Sequence, residues 1–396
     1  MPILTRMLAS PLFVEIRRGA VEGLAELLTE RHVSADGTVM VALGQGQGEQ
    51  IWAKLAASLP QAVTFVVQDS SLAVAGDLQE RLLERAYDAV VAIGGGRTID
   101  VAKFAATRAA MPMIAVATSL AHDGICSPVA SLEHQGVKGS FGVAMPLAVM
   151  VDLDYVHGAP PRMVRSGIGD AISNLSAIED WNLAHRHRGE PMDGLAVAFA
   201  RTAAEAVLHR EDGIAHDDFL IALAEALILS GMAMSVAGTS RPCSGACHEI
   251  AHAMNALYPE VSNHGELVGL GALFAYFLRE DTRRFEQILR CLRRHGLPAT
   301  PADIGIDNEQ FLAALMHAPS TRPDRYTILE HLDLDRSAMR HKLAEFVSRT
   351  QLVCATAEFT APARPHLAGR VDVVRASGSQ TRRDSPRPDV GRVRHL

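Results

Sequence analysis

Short apolar runs alternate with stretches of helical periodicity over the first 150 residues. Val39-Met-Val-Ala-Leu43, Ala62-Val-Thr-Phe-Val-Val67, Asp88-Ala-Val-Val-Ala-Ile93 and Met113-Ile-Ala-Val-Ala117 read as buried strands. Helical patterns lie between them, over Glu49–Leu59, Leu78–Ala86 and Thr98–Ala109. Near-continuous apolar strands separated by helices signal a parallel sheet covered on both faces. Residues Val137–Val151 have room for two further strands, the second over Leu147–Val151.

After Pro160-Pro161 only helical periodicity follows, over Arg162–Asp180, Leu195–Arg210, Asp217–Ser235, Cys247–Leu257, Gly265–Leu278, Thr282–His295 and Asn308–His317. Gly and Pro punctuate these stretches. The expected fold is an α/β N-terminal parallel-sheet nucleotide-binding domain plus an all-α C-terminal domain, with the two prolines at the hinge. Expected boundaries are 1–158 and 159–356. From about Ala361 apolar residues thin out and Arg, Ser, Pro, Gly and Asp dominate, so 357–396 is expected to be a solvated, disordered Arg-rich tail.

Bulk composition narrows the function classes. A chain of 396 residues favours two domains, at about 100–200 residues each. A net charge of −7 and an aromatic content of 5% argue against a nucleic-acid surface. Five scattered cysteines, Cys126, Cys243, Cys247, Cys291 and Cys354, do not make a disulfide framework and fit reduced cytoplasmic thiols. Pro11 and Glu15 interrupt the apolar patch at Leu8–Ile16, so no signal peptide is expected. No uninterrupted run of about 18 apolar residues is present, so no membrane span is expected.

The chemistry concentrates in three places. Val90-Val-Ala-Ile93 runs into Gly94-Gly95-Gly96-Arg97-Thr98-Ile99, and a helix follows. Glycines between a strand and a helix N-terminus make an anion site, suited to a pyrophosphate. The spacing is not G-x-G-x-x-G, so this is not the standard dinucleotide fingerprint. Gly44-Gln-Gly46-Gln-Gly48 is a weaker glycine turn, at best a loop near the adenosine end. Thr118-Ser119-Leu-Ala-His122-Asp123-Gly124 and Ser127 follow the strand Met113–Ala117, at the sheet edge where open α/β sheets bind ligands. Hydroxyls there suit ribose or nicotinamide amide groups, and Asp123 suits substrate hydroxyls.

The third place joins Gly169-Asp170, His248-Glu249-Ile250-Ala251-His252 and His264-Gly265-Glu266. His248 and His252 share a helix face. An Asp with two or three His is a divalent-metal donor set with room for water or substrate, open to zinc, iron or nickel. His-Glu-x-x-His also matches a metalloprotease pattern. A nucleotide-binding domain upstream has no place in that enzyme, which speaks against proteolysis.

Together these segments resemble the sn-glycerol-1-phosphate dehydrogenase family, within the iron-containing alcohol dehydrogenase and dehydroquinate synthase-like superfamily. The carriers are Gly94-Gly-Gly-Arg-Thr-Ile-Asp100-Val-Ala-Lys103, His122-Asp-Gly-Ile-Cys-Ser-Pro128, and Gly169-Asp-Ala-Ile-Ser-Asn174 with Asp180-Trp181. Ser240-Arg-Pro-Cys-Ser-Gly-Ala-Cys-His248, His264-Gly-Glu266 and Arg325-Tyr-Thr-Ile-Leu329 complete them. The resemblance covers roughly residues 10–350. It implies that Gly95–Ile99, Thr118–His122 (Ser119 included) and Ser127 hold NAD(H) or NADP(H). It further implies that Asp123 contacts substrate, that Asp170, His248 and His264 ligate one divalent metal, and that Asp170 and His252 lie against substrate.

The implied activity is interconversion of dihydroxyacetone phosphate and sn-glycerol 1-phosphate, with a small phosphorylated substrate and further copies of the chain as partners. Reduction of another small ketone or aldehyde is the alternative on the same fold. A dehydroquinate synthase-like lyase or cyclase usually has Glu as first metal ligand, and Asp170 speaks against it. Departures from the family pattern are Ala117 where Pro is usual, Ala121 for Ser, Cys126 and Cys243 for small residues, Cys247 for a common Glu, and Asn255 for Asp. No metal ligand is lost.

Overall fold

A computed structural model describes residues 10–360. The expected tail therefore lies almost wholly outside the described residues. Strands are β1 (Phe13–Arg17), β2 (Val39–Gly44), β3 (Val63–Val67), β4 (Ala89–Gly94), β5 (Met113–Ala117), β6 (Val129–His134), β7 (Val137–Gly142) and β8 (Ala148–Asp152). Helices in the first part are α1 (Leu24–Glu30), α2 (Gln47–Leu55), α3 (Leu72–Leu83), α4 (Gly96–Arg108) and α5 (Leu153–Gly158). The helical part comprises α6 (Pro161–Arg188), α7 (Gly194–Leu208), α8 (Asp217–Ala237), α9 (Ala246–Leu257), α10 (His264–Leu278), α11 (Thr282–Arg294), α12 (Asn308–Thr321), α13 (Ile328–Leu332) and α14 (Arg336–Thr360).

Six strands form a parallel sheet in the order β1-β8-β5-β4-β2-β3. Alternate residues divide between its faces. Val39, Val41, Leu43, Val91, Ile93 and Val116 pack against α1 and α2. Met40, Ala42, Val90, Ala92, Ala115 and Val149 join the large core with α3, α4 and the helical part. Burial of both faces explains why the strands read as unbroken apolar runs.

The chain leaves β2 for β3 on one side and returns to β4 on the other, so a crevice opens over the carboxyl ends of β2 and β4. Gly44 and Gly94 stand there, with Gly94 paired to Ala117. Both glycine turns and the His122 loop are thereby brought to one edge.

Several elements depart from the sequence expectation. β1 falls in the patch considered only as a leader. It is an edge strand with Val14 43% exposed, so its pattern lacks the continuity of a buried strand. β6 and β7 form a separate antiparallel hairpin, and only the second was expected. α3 starts six residues earlier than expected, because Ser71 Oγ caps it by accepting from Val74 N–H at 3.2 Å. α8 is 21 residues long and apolar enough to cross a membrane by length and composition, although Glu225 interrupts it. Its Phe219, Leu220, Leu223, Ala224 and Leu227 are fully buried within the protein, as in a core helix.

Candidate active site

β4 ends at Gly94 and α4 begins at Gly96, with no side chain capping the helix. The glycines are required by space. A Cβ on Gly94 would lie 2.6 Å from Thr98 Oγ1, and one on Gly96 would lie 2.3 Å from His122 Nε2. Gly95 faces open space, the side from which an anion can approach the free N–H groups. Thr98 and Ile99 are buried, and the Ile99 N–H donates to Gly95 O, so these two serve the turn through packing. Arg97 is exposed beside the turn.

β5 delivers Thr118 to the same edge, where its N–H donates to Gly94 O at 3.1 Å. Ser119 is half-buried next to it, and Ser127 is buried with its hydroxyl donating to Val129 O at 3.3 Å. His122 Nδ1 accepts the Gly124 N–H at 3.0 Å. The neutral ring therefore carries its proton on Nε2, aimed at the start of α4. Burial holds the ring neutral by pulling its pKa down to about 4.

The next residue ties the two parts together: Asp123 N–H donates to Asp170 Oδ2 at 2.8 Å. Asp170 projects from α6 and is 4% exposed. Its Oδ1 lies 3.5 Å from His264 Nε2, the first residue of α10. His248, in the first turn of α9, presents its ring 5.1 Å from that of His264. Donor atoms of Asp170, His248 and His264 all lie within 4.8 Å of one another.

The donor chemistry fits a divalent cation. Burial depresses His248 far below its usual range and His264 to about 4, so both rings are neutral, the ligating form. His264 keeps 36% side-chain exposure, and the burial of the rest of its ring disfavours the charged form. Burial pushes the Asp170 carboxyl up, and burial with repulsion from Asp170 raises Asp123 well above the carboxylate range. Two buried acids beside neutral imidazoles are a site to which a cation restores electrostatic balance. Cys247 Sγ lies 3.4 Å from His248 Nδ1, which leaves Nε2 for the ion.

His252 is one turn beyond His248 and stands apart from the donor cluster, with Nε2 3.2 Å from an Arg322 Nη atom. Glu249 faces elsewhere, accepting from Thr327 Oγ1 at 3.0 Å, and burial raises its pKa to about 9. This arrangement does not place Glu249 beside the two His as a protease base.

Two groups without an assigned role in the sequence reading turn out to build the site. Lys103 is fully buried, 2.9 Å from Asp100 Oδ1, and donates to Ser127 O at 3.2 Å and Val129 O at 2.5 Å. It pins the loop after His122 to α4. Asp180 is 0% exposed and accepts from Ala246 N–H and Ile328 N–H, each at 2.8 Å, while pairing with Arg279. It fixes the start of α9, and hence His248. Both sit in segments noted for their motif, but only tertiary contacts reveal what they hold.

A parallel-sheet crevice beside an Asp-His-His cluster on a helical part is the arrangement expected of an NAD(P)-dependent alcohol dehydrogenase of the iron-containing class, and the comparisons with known proteins bear the class out. The iron-containing alcohol dehydrogenase family matches residues 15–160. Glycerol-1-phosphate dehydrogenase [NAD(P)+] of Hyperthermus butylicus is 35% identical over 325 residues, covering 81% of this chain and 92% of that protein. The enzyme of the same name from Methanosarcina barkeri is 38% identical over 254 residues, covering 64% and 71%. The chain belongs to the glycerol-1-phosphate dehydrogenase family. Solved structures share the fold: a probable glycerol dehydrogenase from Sinorhizobium meliloti superposes with a TM-score of 0.71 at 22% identity, over 88% of this chain and 99% of that one. Glycerol dehydrogenase from Schizosaccharomyces pombe gives 0.71 at 22% identity, over 92% and 98%.

Proposed function

We propose that this chain interconverts dihydroxyacetone phosphate and sn-glycerol 1-phosphate, using NAD(H) or NADP(H) and one divalent cation. The observation that carries the reading is the convergence of Asp170, His248 and His264 next to the loop that also supplies His122 to the α4 N-terminus. Residues 1–158 would take the dinucleotide and residues 159–356 the cation, zinc, iron or nickel by its donor set. When bound, the cation supplies a Lewis acid for the substrate carbonyl and the reduced nicotinamide supplies the hydride.

The chain's own residues orient these reactants. The Gly94–Gly96 turn, the α4 N–H groups and His122 Nε2–H receive the pyrophosphate. Thr118, Ser119 and Ser127 line the route toward the nicotinamide end. Asp123 and Asp170 hold substrate hydroxyls, and the bond from the Asp123 N–H to Asp170 Oδ2 links the two parts at the site. His252 accepts from Arg322 at Nε2, which places its proton on Nδ1 as a donor to substrate. In the reductive direction the carbonyl carbon gains hydride, its oxygen gains a proton and the dinucleotide is oxidised. Buried free thiols Cys126, Cys243, Cys247 and Cys291 suit a reducing cytoplasm, and self-assembly belongs to the same proposal.

The test is anaerobic steady-state kinetics with dihydroxyacetone phosphate, NADH and NADPH over a metal series, with chiral analysis of the product. Turnover that needs both the phosphorylated ketone and the cation supports the reading. Absence of turnover with every cation and both cofactors overturns it.

A further inference from the structure

Cys247 lies where the three helices that carry Asp170, His248 and His264 meet. It is the second residue of α9 and is fully buried. Its neighbours in the core are small: Ala177 on α6 and Ala272 on α10, both fully buried. α10 presses on its backbone, since a Cβ on Gly271 would lie 2.7 Å from Cys247 O and 3.0 Å from Cys247 Cα. The space left for this side chain is bounded closely by α6 and α10 and admits little more than a thiol.

Two polar contacts reach the sulfur. Sγ lies 3.4 Å from His248 Nδ1 and 3.8 Å from Ser173 O on α6. A carbonyl only accepts, so the thiol proton points to Ser173 O and the sulfur is left to accept from the ring. The neutral His248 ring then carries its proton on Nδ1 and its lone pair on Nε2. A metal-bound imidazole commonly gives its second N–H to a carboxylate, a carbonyl or water, which fixes the ring and raises its basicity. Here a thiol takes that place, and thiol sulfur is a weak acceptor. Ser173 carries the connection one step further, because its Oγ donates to Asp170 O at 2.8 Å. A short run of bonds thus joins His248 on α9 to the turn of α6 that bears Asp170.

We infer that Cys247 is a positioning residue for the cation site: its sulfur accepts the His248 Nδ1–H and turns Nε2 toward Asp170 and His264. The thiol proton on Ser173 O ties that orientation to α6, so two of the three donors are set relative to one another by one side chain. A weak acceptor leaves the imidazole less electron-rich than a carboxylate partner would. A cation held there keeps more of its Lewis acidity.

This inference rests on the proposed cation site and deepens it. The experiment loads the full chain with Co(II) and reads its affinity by chelator competition and its visible d–d bands, which report ligand geometry. The proteins are the wild type, Cys247→Ala, Cys247→Ser and Cys243→Ala, with melting temperature as the folding control. Cys243 is also a buried thiol, but it donates to Ser230 O on α8, a helix that carries none of the three donors. Cys247→Ala weakens cobalt binding by about 10–100-fold and shifts the bands. Cys247→Ser, which keeps an acceptor of similar volume, restores the affinity and still moves the bands, because a hydroxyl accepts more strongly than a thiol. Cys243→Ala keeps the wild-type affinity and spectrum. Wild-type affinity and bands in Cys247→Ala, a Cys247→Ser as weak as Cys247→Ala, or an equal loss in Cys243→Ala overturn the positioning role while the cation site stands. A wild type that binds no cobalt overturns the cation site itself.

Discussion

Gly169 on α6 and Gly265 on α10 touch backbone to backbone: a Cβ on Gly169 would lie 2.1 Å from Gly265 O. The reverse contact is as close, since a Cβ on Gly265 would lie 1.7 Å from Ser166 O. This approach puts Asp170, the neighbour of one glycine, within 3.5 Å of His264, the neighbour of the other. The carboxylate–imidazole pair is thus set by two residues that have no side chain.

Gly169→Ala should therefore separate α6 from α10. The added methyl meets backbone, which cannot rotate away, so a loss of about 1–3 kcal/mol is expected in urea unfolding. Bound metal, counted by inductively coupled plasma analysis, should fall at the same time, with NADH binding kept. A variant that retains stoichiometric metal would show that the glycine contact does not set the pair.

His264→Ala removes one of three donors and should abolish metal retention and turnover. The Gly94–Gly96 turn lies on another element, so dinucleotide binding should persist with a similar Kd. Full activity after exhaustive chelation of the wild type would rule out a role for the cation.

Asp180→Asn leaves the volume of the side chain but removes the buried charge opposite the partly buried Arg279. Breaking such a pair costs about 3–5 kcal/mol. Because Asp180 also holds Ala246 N–H and Ile328 N–H, α9 should fray and His248 should lose its position. Hydrogen exchange should accelerate selectively at the starts of α9 and α13; unchanged protection there would assign Asp180 a lesser part.

His295 packs its ring 5.1 Å from Phe219 and is 7% exposed, with Nε2 unpartnered. Burial lowers its pKa to about 4. The unfolded chain protonates near 6.5 and the folded one does not, so the unfolded state binds more protons between those values. The ring therefore has no pH-dependent effect above about pH 6.5 and destabilises progressively as pH falls toward 4. His295→Phe should gain about 1–2 kcal/mol relative to the wild type on going from pH 7.5 to pH 5, read by urea melts at both values. A pH-independent difference between the two proteins would contradict the assignment.

Local chemistry explains what could be read along the chain. Strands buried on both faces leave unbroken apolar runs, and a strand-to-phosphate turn needs its glycines in sequence, so β2 to β5 and the Gly94–Gly96 turn stand out directly. β1 and β6 do not, because an edge strand and an exposed hairpin alternate only partly and bury little. Lys103 reads as an ordinary helix lysine until Asp100, Ser127 O and Val129 O are seen around it.

The order of residues alone settled the parallel α/β part, the helices after Pro161 and the residue types available for a cation, because each is encoded in periodicity or in short spacing. Only the folded chain decided that Asp170, His248 and His264 meet and that Asp180 holds α9 in place. Those relations depend on how closely whole helices approach, and that distance is fixed by glycines and buried charges on elements far apart in sequence.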